Sequence, residues 1–126
     1  MAYQNVSEAV TSLMRSFRDL DMHVLFICKE GKENNDGVFF FGPKMASKPL
    51  GDAITYFFDE VLALRVIEDQ DDDGNPVAAR WLQSRIGQGY TAKDRSGKLE
   101  AFEEPNLTAL IQKLGFSVNI ENKESK

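Results

Sequence analysis

The stretch His23-Val24-Leu25-Phe26-Ile27-Cys28 decides how the rest of the chain is read. It is apolar without alternation, which suits a strand covered on both faces, as in a parallel sheet between helices. Just before it, Val6, Val10, Leu13, Met14, Phe17 and Leu20 recur at spacings of three and four. That period predicts an amphipathic helix with the stripe facing the core. Asn5 stands where a cap belongs and Glu8, three residues on, completes a capping box, while Arg15 and Arg18 fall off the stripe and are expected in solvent. A helix running into a doubly covered strand is half of a βαβ unit. The strand that should precede the helix is missing.

Downstream, residues 29–36 are polar and end in the turn signal Asp36-Gly37, and Val38-Phe39-Phe40-Phe41 returns to Gly42-Pro43, which predicts a small hairpin or flap. Pro49 suits the first turn of a short helix reaching Tyr56. Residues 57–68 read as a long strand, 69–76 as an acidic turn, 77–85 as the returning strand and 89–93 as a third, short one. Pro105-Asn106 introduces a last helix with Leu107, Leu110, Ile111 and Leu114 facing inward and Gly115 ending it. The expected organisation is one α/β domain over residues 1–116, with an N-terminal helix, central strands, an antiparallel extension and a C-terminal helix. A polar, frayed tail is expected over residues 117–126.

With 126 residues the chain suits a single domain. Fifteen basic against twenty acidic residues give a net charge of −5, which argues against a general coat for DNA. No apolar run approaches the ~18 residues of a membrane span, and the first residues lack the pattern of a signal peptide. A lone cysteine fits a reducing, cytoplasmic setting.

Few residues carry obvious chemistry. Asp69, Asp71, Asp73 and Gly74 match the opening of a calcium loop, but Arg80 stands where the bidentate glutamate is required, so a solvated hairpin tip is expected. His23 is the only histidine, which excludes a His-pair metal site. Five residues separate it from Cys28, and an odd separation along a strand turns the two apart, so no dyad is expected. Asp59 and Glu60 are adjacent and diverge likewise, which leaves one of them to hold a backbone or an arginine. No phosphate loop of the form G-x-x-x-x-G-K-[ST] occurs. The basic strip is more informative. Arg85, Lys93, Arg95 and Lys98 against Asp94 give a local charge of 4 − 1 = +3, and Lys93 and Arg95, two apart, point the same way in an extended segment. Two cations on one face can clamp phosphate oxygens. Alternatively the strip is a solvated strand end.

Four phrases in order, His23-Val-Leu-Phe-Ile-Cys, Phe57-Phe-Asp-Glu-Val-Leu-Ala-Leu, Ala92-Lys-Asp-Arg-Ser-Gly-Lys-Leu and Glu104-Pro-Asn-Leu, resemble the second half of phage RecA-like nucleotide-binding proteins. Those proteins are recombination ATPases on single-stranded DNA. The resemblance covers residues 4–115 and implies a truncated RecA-like half-domain, without the Walker A and Walker B half and without a cofactor of its own, so that ATP–Mg enters only on a partner subunit. It implies that Lys93 and Arg95 reach a neighbour's nucleotide in trans. Three functions follow as expectations. The first is a non-catalytic phage-type protein that binds a protein partner, capping a RecA-like subunit or inhibiting a host or defence complex. The second is a split subunit of a recombination ATPase. The third is a small nucleic-acid-binding accessory using Arg85, Tyr90, Lys93, Arg95 and Lys98, with Tyr90 as a stacking platform. A bare sheet edge left by the absent half also allows a homo-oligomer.

Overall fold

Helix α1 (Ala2–Arg18) forms where the apolar period predicts it, in a computed structural model that describes residues 2–45 and 48–117. It begins before Asn5, so that residue lies inside the helix and not at its cap. The stripe is also less covered than expected. Met14 is buried against Leu50 and Ile54 of α2 (Lys48–Ile54), with Val10, Phe26, Phe57 and Phe58 packed around them. Val6, Leu13, Phe17 and Leu20 stay exposed because α2 meets only one side of the stripe. Arg15 and Arg18 are exposed as expected, yet the Arg15 guanidinium lies 4.7 Å from the centre of the Phe57 ring, a cation–π contact that ties α1 to the 3₁₀ turn Thr55–Phe57.

The doubly covered strand predicted at residues 23–28 is not formed. This stretch has no regular secondary structure, and every strand pairing in the sheets is antiparallel. The fold is mixed α/β. The hairpin predicted next is present, with β1 (Glu30–Asn35) paired to β2 (Val38–Pro43). Asp36 and Gly37 both take positive φ, the conformation of a two-residue turn whose twist matches the strands.

The single strand predicted over 57–68 breaks in two. β3 (Glu60–Val61) pairs with β6 (Lys93–Asp94), whereas β4 (Ala63–Gln70) pairs along its whole length with β5 (Pro76–Gln83). β7 (Phe102–Glu103), absent from the sequence reading, adds to β5. The acidic tip is a hairpin turn, as expected. One Asp71 carboxylate oxygen accepts from the backbone N–H groups of Asp73 and Asn75, at 3.0 and 2.8 Å. Helix α3 (Leu107–Lys113) is capped by the Asn106 side chain, which accepts from Ala109 N–H at 3.1 Å, and Gly115 follows at φ +100°. Leu110 is buried, Ile111 and Leu114 are half-buried, and Leu107 is exposed. Beyond Ser117 the tail expected over 117–126 lies outside the described residues.

In place of the third strand predicted at 89–93, residues 87–90 make a tight turn that holds the halves of the chain together. Tyr90 N–H donates to Gly87 C=O at 2.9 Å, and Gln88 and Gly89 both have positive φ. Phe41 N–H donates to Gly89 C=O and Thr91 N–H to Phe41 C=O, both at 2.8 Å, so the turn is stitched onto β2. A Cβ on Gly89 would sit 2.5 Å from the Phe39 carbonyl oxygen, whereas Gly74, at nearly the same φ, has open space. Gly74→Ala should therefore lose only the backbone term, about 1 kcal/mol, and Gly89→Ala at least about 1 kcal/mol more, read from urea midpoints. Equal losses would place the strain in φ alone.

Candidate functional site

The run that fails to form a strand keeps a strand's alternation. Val24 and Phe26 are half-buried, while Leu25 and Ile27 are 62% and 89% exposed. Among the described residues no backbone group of residues 24–28 is hydrogen-bonded; the first such bond is Lys44 N–H to Lys29 C=O at 2.7 Å. Phe26 is anchored inward by edge-on contact with Phe17, centroids 5.8 Å apart, and by Phe58 at 5.3 Å. The stretch is thus an unpaired segment with Leu25 and Ile27 bare to water.

An open cleft of ≈ 870 Å³ runs beside it, walled by residues 22–26 and 28–30, by β3 with the start of β4, and by α3. His23 and Phe116 close one end with an edge-on ring contact at 4.6 Å. The β4 wall is inverted relative to an ordinary core strand. Arg65 takes the covered phase, and Leu64 and Val66 stand exposed at 56% and 60%. Leu25 and Leu64 both line the cleft, whereas the exposed Ile27 and Val66 do not.

The basic strip is distributed over the scaffold and does not form one cationic face. Lys93 donates to the Thr55 carbonyl at 3.1 Å, and Arg95 pairs with Asp59 at 2.6 Å, the arginine partner foreseen for the carboxylate pair. Arg85 donates to Leu99 C=O and Lys98 to Leu114 C=O, each at 3.2 Å. Tyr90 is sandwiched. Phe41 stacks on it at 4.5 Å and 14°, and the Arg65 guanidinium sits 3.8 Å from the ring centre, too close for both to share one face. A nucleobase has no free face there unless one of them leaves, which weighs against the stacking-platform reading. Of the basic strip only Arg95 lines the cleft, together with its partner Asp59 and the stacked Phe41 and Tyr90 rings.

Sequence reasoning missed Arg65 as an organiser. Its guanidinium donates to Gln83 at 2.6 Å and Gln88 at 3.0 Å, and buried Gln83 in turn donates to the carbonyls of Arg85 and Gly87. The signal was a lone arginine among Leu64, Val66 and Ile67 in a strand. The second omission is a carboxyl pair across β3–β6. Glu60 faces Asp94 in the ladder, and Glu60 Oε2 is buried with no partner of its own. Burial first, then the hydrogen bond to Asp94 and repulsion from Asp94 and Asp59, push the Glu60 carboxyl up to about 7; Lys93 opposes this. Asp94 moves the other way. Burial raises it, but the Ser96 hydroxyl, the Leu99 and Ser96 amides and Glu60 outweigh that and hold it low. A proton on Glu60 would let its carboxyl donate to the Asp94 carboxylate. Cys28 is exposed, with its thiol raised by partial burial, the opposite of an activated nucleophile. Among the described residues, no cluster of three His, Cys, Asp or Glu side chains is arranged as metal ligands, and no helix is long and apolar enough to cross a membrane.

The sequence matches no protein-family model and no curated protein, and the fold matches no solved structure.

Because Glu60 binds its proton more tightly folded than unfolded, it costs stability as pH rises from the ordinary 4.5 towards about 7, and the cost then stays constant. Glu60→Gln keeps a donor to Asp94 without the titration. The melting temperature of the wild type, relative to that of Glu60→Gln, should fall between pH 5 and pH 8. A constant difference across that range would mean that the Glu60 carboxyl is not shifted.

Proposed function

We propose that this chain acts by binding a protein partner and performs no reaction of its own. The observation that carries the reading is the run at residues 24–28, where Leu25 and Ile27 are bare and the backbone has no ladder. An unpaired edge beside an apolar cleft is what a protein presents when another chain is to add a strand. Fully covering a side chain of this size is worth about 1.5–3 kcal/mol, so Leu25 and Ile27 alone supply much of a micromolar association. The resemblance to the second half of phage RecA-like ATPases suggests the partner. A Walker-bearing RecA-like subunit would lay its own sheet against this run, and the chain would cap that subunit or, against a host or defence complex, inhibit it. The site is assembled by covering apolar surface and needs no ATP–Mg on this chain.

One observation favours the split-subunit reading as second. Arg95 is held only by an ion pair in which its side chain is 60% exposed and that of Asp59 73% exposed. Such pairs are worth about 0–1 kcal/mol, so Arg95 is readily released to a neighbour's phosphate. Lys93 must also leave the Thr55 carbonyl.

The test uses a purified phage RecA-like ATPase subunit as the probe. Ile27→Asp should weaken its binding by about tenfold or more, as expected from the loss of one buried aliphatic group. Equal affinity, or no binding by the wild type, would contradict the reading. In the same mixture Lys93→Ala with Arg95→Ala should leave binding unchanged. Loss of ATPase stimulation with binding intact would promote the split-subunit reading.

A further inference from the structure

We infer that the junction of β3 with β6 is a pH-operated clasp on one wall of the cleft, closed by a proton on Glu60 and released when that proton leaves. The junction is short. It consists of the facing pairs Glu60–Asp94 and Val61–Lys93, extended by one backbone bond from Arg95 N–H to Asp59 C=O at 3.0 Å. That bond fixes the character of each pair. Hydrogen-bonded and non-hydrogen-bonded pairs alternate along an antiparallel ladder, so Asp59–Arg95 and Val61–Lys93 belong to the first kind and Glu60–Asp94 to the second. Facing side chains come closest in pairs of the second kind. Two carboxyls thus meet at the tightest point of a two-residue ladder.

Asp94 is not free to turn away. One of its oxygens accepts from the Ser96 hydroxyl and from the Ser96 amide at 3.0 Å, and the other accepts from the Leu99 amide at 3.0 Å. These bonds hold the turn that follows β6, and all of them favour the carboxylate. Glu60 is left to carry the proton between the two, and its Oε2 is buried with no other partner. The flanking cations lie in the other phase of β6. Lys93 reaches the Thr55 carbonyl at 3.1 Å, and Arg95 reaches Asp59 at 2.6 Å. Burial, the hydrogen bond to Asp94 and the charges of Asp94 and Asp59 raise the Glu60 carboxyl to about 7 against the pull of Lys93. Once Glu60 is ionised, two half-buried like charges face each other with no donor between them, which destabilises the ladder. Asp59, Glu60 and Val61 line the cleft, as do Arg95 and Ser96, so releasing β3 loosens that wall. The closed form binds the proton more tightly than the open form. Opening therefore increases as pH rises from the ordinary 4.5 and levels off above about 7.

The test is amide exchange of the full chain, followed by NMR and expressed as protection factors, which remove the pH dependence of exchange itself. The Arg95 amide should lose protection by about tenfold or more between pH 5 and pH 8. The Ser84 amide, bonded to Ala101 C=O at 2.9 Å away from the clasp, should keep its protection. In Glu60→Gln the Arg95 amide should be equally protected at both pH values, because the new side chain keeps a donor for Asp94 and does not ionise. The Glu60 carboxyl carbon of the wild type reads the proton directly and should titrate with a midpoint near 7. An Arg95 amide that is unprotected at pH 5 or equally protected at both pH values, or a Glu60 midpoint at the ordinary 4.5, would overturn the inference. So would an equal loss at Ser84, which would mean opening of the whole fold, or a loss that persists in Glu60→Gln, which would place the titrating group elsewhere. If Glu60→Gln fails to fold, the three wild-type readouts decide the matter without it.

Discussion

An apolar strand sequence without a ladder is the constraint on which the rest of this structure depends. Residues 24–28 are anchored on one side by Phe26, wedged between Phe17 and Phe58, and are open on the other through Leu25 and Ile27. Alternation sends each successive side chain to the opposite side, so no rotation of the run covers both faces. The buried cluster of Met14, Leu50 and Ile54 reaches the run only through Phe26. Under the proposed function the second face is covered by a neighbour.

The polar part of the molecule is a scaffold that presents this surface. The turn at residues 87–90 fastens β2 to the second half of the chain, and Arg65 secures it from beneath through Gln83, Gln88 and the Tyr90 ring. Glu60 and Asp94 face each other across β3 and β6, and the ion pair of Asp59 with Arg95 lines the cleft. The cations that looked in sequence like a phosphate clamp each hold a carbonyl or a carboxylate. The exposed Arg95 is the one most easily released.

Local signals were legible and long-range ones were not. The β4–β5 hairpin, the Asp36-Gly37 turn and the last helix with Asn106 and Gly115 all follow from residues close in sequence, where turn and capping geometry leave little choice. Asn5 misled because a capping pattern inside a longer helix looks the same as one at its start. The strand at 23–28 failed for a different reason. Apolar residues on both faces announce that both faces are to be covered, but carry no information on which chain supplies the cover. The break between β3 and β4 and the Tyr90 sandwich depend on Asp94, Arg65 and Phe41, partners remote in sequence that no local period reveals.

The most direct test is amide hydrogen exchange at residues 24–28 in dilute chain, with rising chain concentration, and with a RecA-like subunit added. The account predicts amides that exchange freely in the dilute chain and gain protection together as another chain is supplied. Protection already complete in the dilute chain and independent of concentration would mean that the run is paired within its own fold, and would contradict the account.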